Sequence, residues 1–183
     1  MQTRGPQAHS IWLCPEARFA ALLQDEIMRL TAISGTDVFA PHVTLLGDLA
    51  ADPRATSDHC GRLAGAQEPI SVMVKGLCQT DQYYMSLFLD LDIPAHLGDM
   101  RAKLAMSLLG GAPGRFRPHI SLAYGIRTEG LQTEDLRRLE RAFLDQVFCL
   151  DRICVVAAAK KVPISAWRVL DTMPFGKPPR SDA

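Results

Sequence analysis

The stretch Pro41-His42-Val43-Thr44-Leu45-Leu46-Gly47 returns, little changed, as Pro118-His119-Ile120-Ser121-Leu122-Ala123-Tyr124-Gly125. Each copy runs proline, histidine, β-branched residue, hydroxyl residue, leucine. In an extended strand residues i and i+2 share a face, so His42 stands beside Thr44 and His119 beside Ser121, while Val43, Leu45, Ile120 and Leu122 point the other way into a core. One His-x-Thr on an apolar strand is commonly no more than a buried histidine with its hydrogen bond satisfied. Two copies with matching flanks point instead to a paired acid and base.

Working outward, each motif strand sits inside the same order of elements. In the first half, Ser10 to Cys14 reads as a strand, and Phe19, Leu22, Leu23, Ile27 and Leu30 recur at helical spacing up to a stop at Ser34-Gly35. The motif strand follows over Phe39 to Leu49, then a helix over Thr56 to Ala66 and a strand over Ile70 to Cys78. In the second half, Tyr83 to Leu91 is a strand, Pro94 opens a helix striped by Leu97, Met100, Leu104 and Leu108, and Gly110-Gly111 closes it. The second motif strand spans Phe116 to Ile126. Thr133 caps a helix that buries Leu136, Leu139, Phe143 and Val147, and strands over Phe148 to Ala158 and Ile164 to Leu170 finish the chain. Trp12 precedes His42 by 30 residues, as Leu89 precedes His119. Two copies without a third indicate a duplicated strand-helix-strand unit rather than a solenoid. A pseudo-twofold relation between the halves brings the two motif strands side by side, with both histidines facing one cleft.

Length and composition fit this reading. The 183 residues suffice for one domain of two halves, with a core over about 10–170 and flexible tails at 1–9 and 174–183. Twenty basic residues balance twenty acidic ones, which argues against a long track for polymeric nucleic acid but leaves room for a small anion in a pocket. The five cysteines are scattered, without zinc or disulfide spacing, and read as buried thiols of a reducing compartment. No stretch approaches a membrane span or a signal peptide, so no membrane partner and a cytoplasmic location are expected.

Imidazole exchanges a proton near neutral pH, and hydroxyls donate hydrogen bonds to anionic oxygen. Two imidazoles and two hydroxyls around one cleft therefore suit phosphoryl chemistry. No Asp or Glu alternates with His42 or His119, so the pair alone leaves a metal site incomplete. Trp12, opposite the face of Ile11 and Leu13, is either a base-stacking surface or a core aromatic. Strict alternation turns Tyr124 away from Ser121, and a twist or bulge before Gly125 is needed to bring its hydroxyl to the cleft. Trp167 is expected in the core, and His9, His59 and His96 on the surface. Arg115, Arg117, Lys75, Lys160 and Lys161 add positive potential near the cleft or simply a solvated face.

The motifs His42-Val43-Thr44-Leu45 and His119-Ile120-Ser121-Leu122 resemble the paired signature of the two-histidine (2H) phosphoesterase superfamily. The forms SIWLCPE, FAPHVTLLGDL, YYMSLFLDLDIP and FRPHISLAYG most resemble its plant- and yeast-type cyclic nucleotide phosphodiesterases. The resemblance implies a bilobal α+β fold, with two antiparallel sheets flanking a central water-filled cleft and helices outside. It implies catalysis by His42 and His119 without metal or other cofactor, with Thr44 and Ser121 on the phosphate and Tyr124 bordering the site. The implied substrates are small cyclic-phosphate nucleotides, namely ADP-ribose 1″,2″-cyclic phosphate and nucleoside 2′,3′-cyclic phosphates. RNA ends, 2′,5′ ligation and a non-catalytic nucleotide-binding module are the alternatives.

Overall fold

A computed structural model describes residues 8–127 and 131–176. Among these residues seven strands and four α-helices follow the order expected from the duplication. These are β1 (His9–Pro15), α1 (Ala17–Ser34), β2 (Val43–Leu49), α2 (Pro53–Gly65), β3 (Ile70–Gln79), β4 (Leu87–Asp92), α3 (Ala95–Leu109), β5 (His119–Ala123), α4 (Thr133–Phe143), β6 (Val147–Val156) and β7 (Val169–Pro174).

The architecture is α+β, and every strand pairing is antiparallel. In place of the two separate sheets expected, β3 and β6 pair to give one continuous hydrogen-bonded path, β2-β1-β6-β3-β4-β5, and β7 pairs with the later part of β6. The motif strands β2 and β5 lie at opposite ends of this path. They are not hydrogen-bonded neighbours, but the sheet curls until the two ends touch. The right-handed twist of strands accumulates over six of them and supplies that curl. Helices pack on the outer side, α1 against β1 and β5, α3 against β2, α2 against β6 and β7, and α4 against β3.

Alternation decides which side of the sheet each residue faces. Ile11 and Leu13 in β1, Ile70, Val72 and Val74 in β3, and Leu87, Leu89 and Leu91 in β4 are all buried in one core under the helices. Helix α1 adds Phe19, Leu23 and Leu30, and α3 adds Leu97, Met100 and Leu104, while Ile27 of α1 packs in a smaller cluster with Phe39, Tyr124 and Ile164. Gly35 and Gly110 end these two helices in the left-handed conformation, each returning its N–H to the carbonyl four residues back.

Several boundaries differ from the sequence reading. Both motif strands are shorter than expected, because proline lacks an N–H for the ladder: β2 starts after Pro41-His42 and β5 starts after Pro118. Tyr83–Met85 is a 3-10 turn and not the start of β4. Gln132, not Thr133, is the capping residue of α4, and Val147 is exposed at the start of β6 rather than inside that helix. Ile164–Ala166 is a 3-10 turn and β7 begins later, at Val169. The core reaches past its expected limits. His9 opens β1 fully buried, 2.9 Å from Thr56 Oγ1, so it is neither in a tail nor on the surface. At the other end Phe175 is buried, with its N–H on the Asp151 carbonyl, so 174–176 belong to the packed structure. The tail segments 1–7 and 177–183 lie outside the described residues. All five cysteines are free, but only Cys60 and Cys154 are buried. Among the described residues no helix is long and apolar enough to cross a membrane.

Candidate active site

His42 directly precedes β2 and His119 opens β5, each held by the same local device. The His42 Nδ1–H donates to the Ala40 carbonyl at 2.7 Å, and the His119 Nδ1–H to the Arg117 carbonyl at 2.8 Å. In both cases a proline separates histidine from carbonyl. Proline fixes its own φ and drives the residue before it into an extended conformation, and the result here is a carbonyl two residues back that meets the ring. The bond assigns the proton to Nδ1 and leaves the Nε2 lone pair for other work.

Neighbouring strands complete each half. Trp12 in β1 is the ladder partner of Thr44, and its ring lies flat on His42, centroids 3.5 Å apart and planes 8° apart. Phe88 in β4 is the partner of Ser121 and meets the His119 ring edge-on at 5.2 Å. Phe88, not Leu89, is thus the counterpart of Trp12. Both halves shift register just before this pair, at Ile11/Trp12 and at Leu87/Phe88, and the second half runs one residue longer between the paired positions, 33 against 32.

The six residues singled out from sequence, Trp12, His42, Thr44, His119, Ser121 and Tyr124, all line one cavity of about 430 Å³. That volume is in the range of small-ligand sites. Trp12 is 4% exposed, so it is both a core aromatic and a wall of the cavity. Tyr124 reaches the cavity because β5 carries one extra residue opposite Leu87/Phe88: Leu122 and Ala123 both turn to the core, and Tyr124 returns to the side of Ser121, the irregularity that strict alternation lacked. Its ring stacks on Phe39 at 3.9 Å.

The halves are not equivalent electrostatically. Burial pulls His42 down to about 4, the Ala40 carbonyl opposes this, and repulsion from His119 adds to it. Burial is also the largest cause holding His119 below its ordinary value; its bond to the Arg117 carbonyl resists, the Arg117 guanidinium depresses it further and the Asp90 carboxylate raises it. Arg117 is itself anchored, its Nε 3.0 Å from Asp90 Oδ1 and its guanidinium over the Phe88 ring. The hydroxyls differ too. Ser121 Oγ donates to the Tyr84 carbonyl at 2.9 Å, whereas Thr44 makes no side-chain hydrogen bond among the described residues. Burial raises the Tyr124 hydroxyl above its ordinary value.

The cavity has members that the sequence pattern did not mark. Trp167, expected in the core, is half-buried on the cavity wall with its indole N–H on the Val162 carbonyl. Tyr84 faces it, ring centroids 6.4 Å apart. Asp48 follows the first motif at φ +55°, a conformation costly for a residue other than glycine, and its Oδ1 accepts the Lys160 N–H at 2.9 Å. The proline before each histidine was the one sequence signal for the carbonyl clamps; nothing comparable marks Tyr84 or Trp167. Among the described residues no three His, Cys, Asp or Glu side chains gather as metal ligands.

A curled antiparallel sheet thus presents matched histidines from its two ends to one cavity. The chain belongs to the 2′-5′ RNA ligase superfamily, the grouping of the 2H phosphoesterases, whose family model matches residues 18–161. Among solved structures it is similar in fold to TT0787 of Thermus thermophilus, with 16% identity over 93% of this chain and 98% of that one and a TM-score of 0.61. The LigT protein of E. coli complexed with 3′-AMP is 15% identical over 94% of this chain and 99% of that one, also at 0.61. LigT complexed with phosphate gives 0.59 at the same identity and coverage. No curated protein sequence matches the chain.

Proposed function

We propose that this protein is a cyclic phosphodiesterase that opens ADP-ribose 1″,2″-cyclic phosphate, nucleoside 2′,3′-cyclic phosphates, or both, by paired histidine catalysis. One observation carries the reading: two imidazoles, each with Nδ1–H fixed on the carbonyl two residues back, share one cavity with a hydroxyl residue two positions after each. Membership of the superfamily supports phosphodiester chemistry. The crystallised complexes of LigT with 3′-AMP, ATP and NADP+ support a nucleotide as ligand.

His42 is the more deeply buried and stays neutral at pH 7, so its Nε2 is the base. It takes a proton from water as the water oxygen bonds to phosphorus. The ester bond to the ribose oxygen breaks, and His119, in its protonated form, gives its Nε2 proton to that oxygen. Both histidines then exchange protons with solvent and return to their starting states. Such a proton transfer contributes about a hundredfold or more at each end. Thr44 donates to a phosphoryl oxygen as charge builds on it, and Ser121 does the same once its hydroxyl turns from the Tyr84 carbonyl. Trp12 holds the His42 ring and offers an aromatic edge to the cavity.

The superfamily's 2′-5′ RNA ligase description favours a second reading, in which the cyclic phosphate is the end of an RNA strand. Hydrolysis of 2′,3′-cyclic AMP and of ADP-ribose 1″,2″-cyclic phosphate, with chelator present and the 2′- and 3′-phosphate products resolved, tests the proposal. Chelator-resistant release of the 2′-nucleotide or the 1″-phosphate is the expected result. A folded protein that turns over neither excludes it in favour of RNA ends or of binding alone.

A further inference from the structure

The two histidines are clamped alike, but their clamps are not held alike. Ala40, whose carbonyl takes the His42 Nδ1–H, offers only a methyl group, and it is the neighbouring Phe39 that is buried, stacked on Tyr124. Arg117, whose carbonyl takes the His119 Nδ1–H at 2.8 Å, lies in residues 112–118, a segment that is neither helix nor strand. Its own side chain is the anchor. The Nε–H donates to Asp90 Oδ1 at 3.0 Å, and the guanidinium carbon sits 4.7 Å from the centre of the Phe88 ring. Both partners belong to β4: Asp90 is the strand partner of His119, and the fully buried Phe88 meets the His119 ring edge-on at 5.2 Å. A closed circuit therefore runs from Asp90 through the Arg117 side chain and carbonyl to the imidazole, and back across the β4–β5 ladder.

Neither Asp90 nor Arg117 is among the residues that line the catalytic cavity, so both reach the site only through His119. The carbonyl that Arg117 holds decides which ring nitrogen keeps the proton and where Nε2 points. Proton transfer is sensitive to that placement at the scale of an ångström. Arginine suits the task because its guanidinium is planar, stacks on an aromatic face and keeps its donors in a fixed fork, none of which lysine offers. The charged and titratable groups around His119 are Asp90 from β4, Arg117 from the segment before β5 and His42 from the end of the sheet opposite, with Cys78 of β3 next to Arg117. The Asp90 carboxylate offsets the guanidinium, whose charge alone disfavours a protonated ring.

We propose that Asp90 and Arg117 are positioning residues for His119: the ion pair locks the carbonyl that fixes the imidazole, and the carboxylate supports its protonated form. The effect on turnover rests on the reading of His119 as the acid, whereas the effect on the ring itself does not. The device is one-sided, since the carbonyl clamp of His42 comes from an alanine with no charge to anchor it.

NMR titration of both histidine rings in wild type, Asp90→Asn, Arg117→Gln and Arg117→Lys tests this without any turnover. In Asp90→Asn the lost carboxylate, the unopposed guanidinium and the loosened carbonyl all act in one direction, so the pKa of His119 falls by about half a pH unit while that of His42 does not fall. In Arg117→Gln the neutral His119 ring passes in part to the Nε2–H tautomer, read from its ring nitrogen shifts, and Arg117→Lys restores the Nδ1–H form in part. With a cyclic phosphate as substrate, Asp90→Asn moves the alkaline limb of kcat/KM to lower pH, and Arg117→Gln lowers kcat about tenfold with KM nearly unchanged. An unmoved pKa and tautomer of His119 in the folded variants overturns the proposal. So does an equal fall for His42, which marks a general loosening, or a rise in KM alone, which places Arg117 on the substrate. Should Arg117→Gln fail to fold, the nearly isosteric Asp90→Asn decides by itself. If the wild type hydrolyses no cyclic phosphate, the catalytic reading has failed on its own, and the ring titrations still decide the positioning.

Discussion

Trp12 lies flat against His42, ring centroids 3.5 Å apart and planes 8° apart, and this stack keeps one face of the imidazole from water. Desolvation disfavours a charged imidazole, and burial is the largest cause of the low pKa of His42. Replacing Trp12 by Leu opens that face. The pKa of His42 is then expected to rise from about 4 toward 6.5, read by NMR titration of the ring, with Trp12→Phe falling between. An unmoved pKa in Trp12→Leu shows that the stack does not govern the base.

The pH profile of kcat/KM follows from the two depressed histidines. The base must be neutral, so activity falls as pH drops toward the pKa of His42, near 4. The acid must be protonated, and His119 is also held below its ordinary value, so activity falls again as pH rises through its pKa. The expected optimum is mildly acidic, and the alkaline limb disappears in His119→Ala. A rate that keeps climbing through pH 8 contradicts these roles.

Folding stability has its own pH dependence. His42 binds its proton in the unfolded chain near 6.5 but in the folded chain only near 4, so the unfolded state carries more protons between those values. Stability therefore rises with pH across that window and is lost as pH falls through it. Denaturant melts at pH 4.5 and 7 are expected to differ in the wild type, and His42→Ala is expected to narrow the difference.

The hydroxyls are unequal in the free protein. Ser121 also ties β5 to the Tyr84 carbonyl, while Thr44 makes no side-chain bond among the described residues. Thr44→Val removes only a phosphate donor and is expected to cost kcat about a hundredfold with an unchanged melting temperature. Ser121→Ala is expected to cost a similar factor and to lower stability by about 1 kcal/mol. Equal melting temperatures for the two variants refute the distinction.

Much of this fold was legible in the sequence because its signals are periodic and duplicated. Alternation sets Trp12 on the face opposite Ile11 and Leu13 without deciding between cleft and core, and the stripe of Leu97, Met100 and Leu104 marks the buried face of α3. The matched motifs point both histidines to one cleft, and both line one cavity. What alternation cannot carry is irregular backbone. The extra residue of β5 opposite Leu87/Phe88 turns both Leu122 and Ala123 to the core and so brings Tyr124 back to the side of Ser121. Nor does local pattern show long-range closure. β2 and β5 meet through the curl of the sheet, and Tyr84, Trp167 and Lys160 come to the cavity from 3-10 turns and loops with no periodicity of their own. His9 followed the same rule: its burial depends on Thr56 in α2, far away in the chain.

The central claim is that His42 and His119 act as one unit, and the turnover of 2′,3′-cyclic nucleotide or ADP-ribose cyclic phosphate by His42→Ala, His119→Ala and the double variant tests it most directly. Each single change is expected to lower kcat a hundredfold or more while circular dichroism stays that of the wild type, and the double change to cost little beyond either one. A single variant that retains full turnover, or a double variant whose loss is the product of the two single losses, contradicts the account.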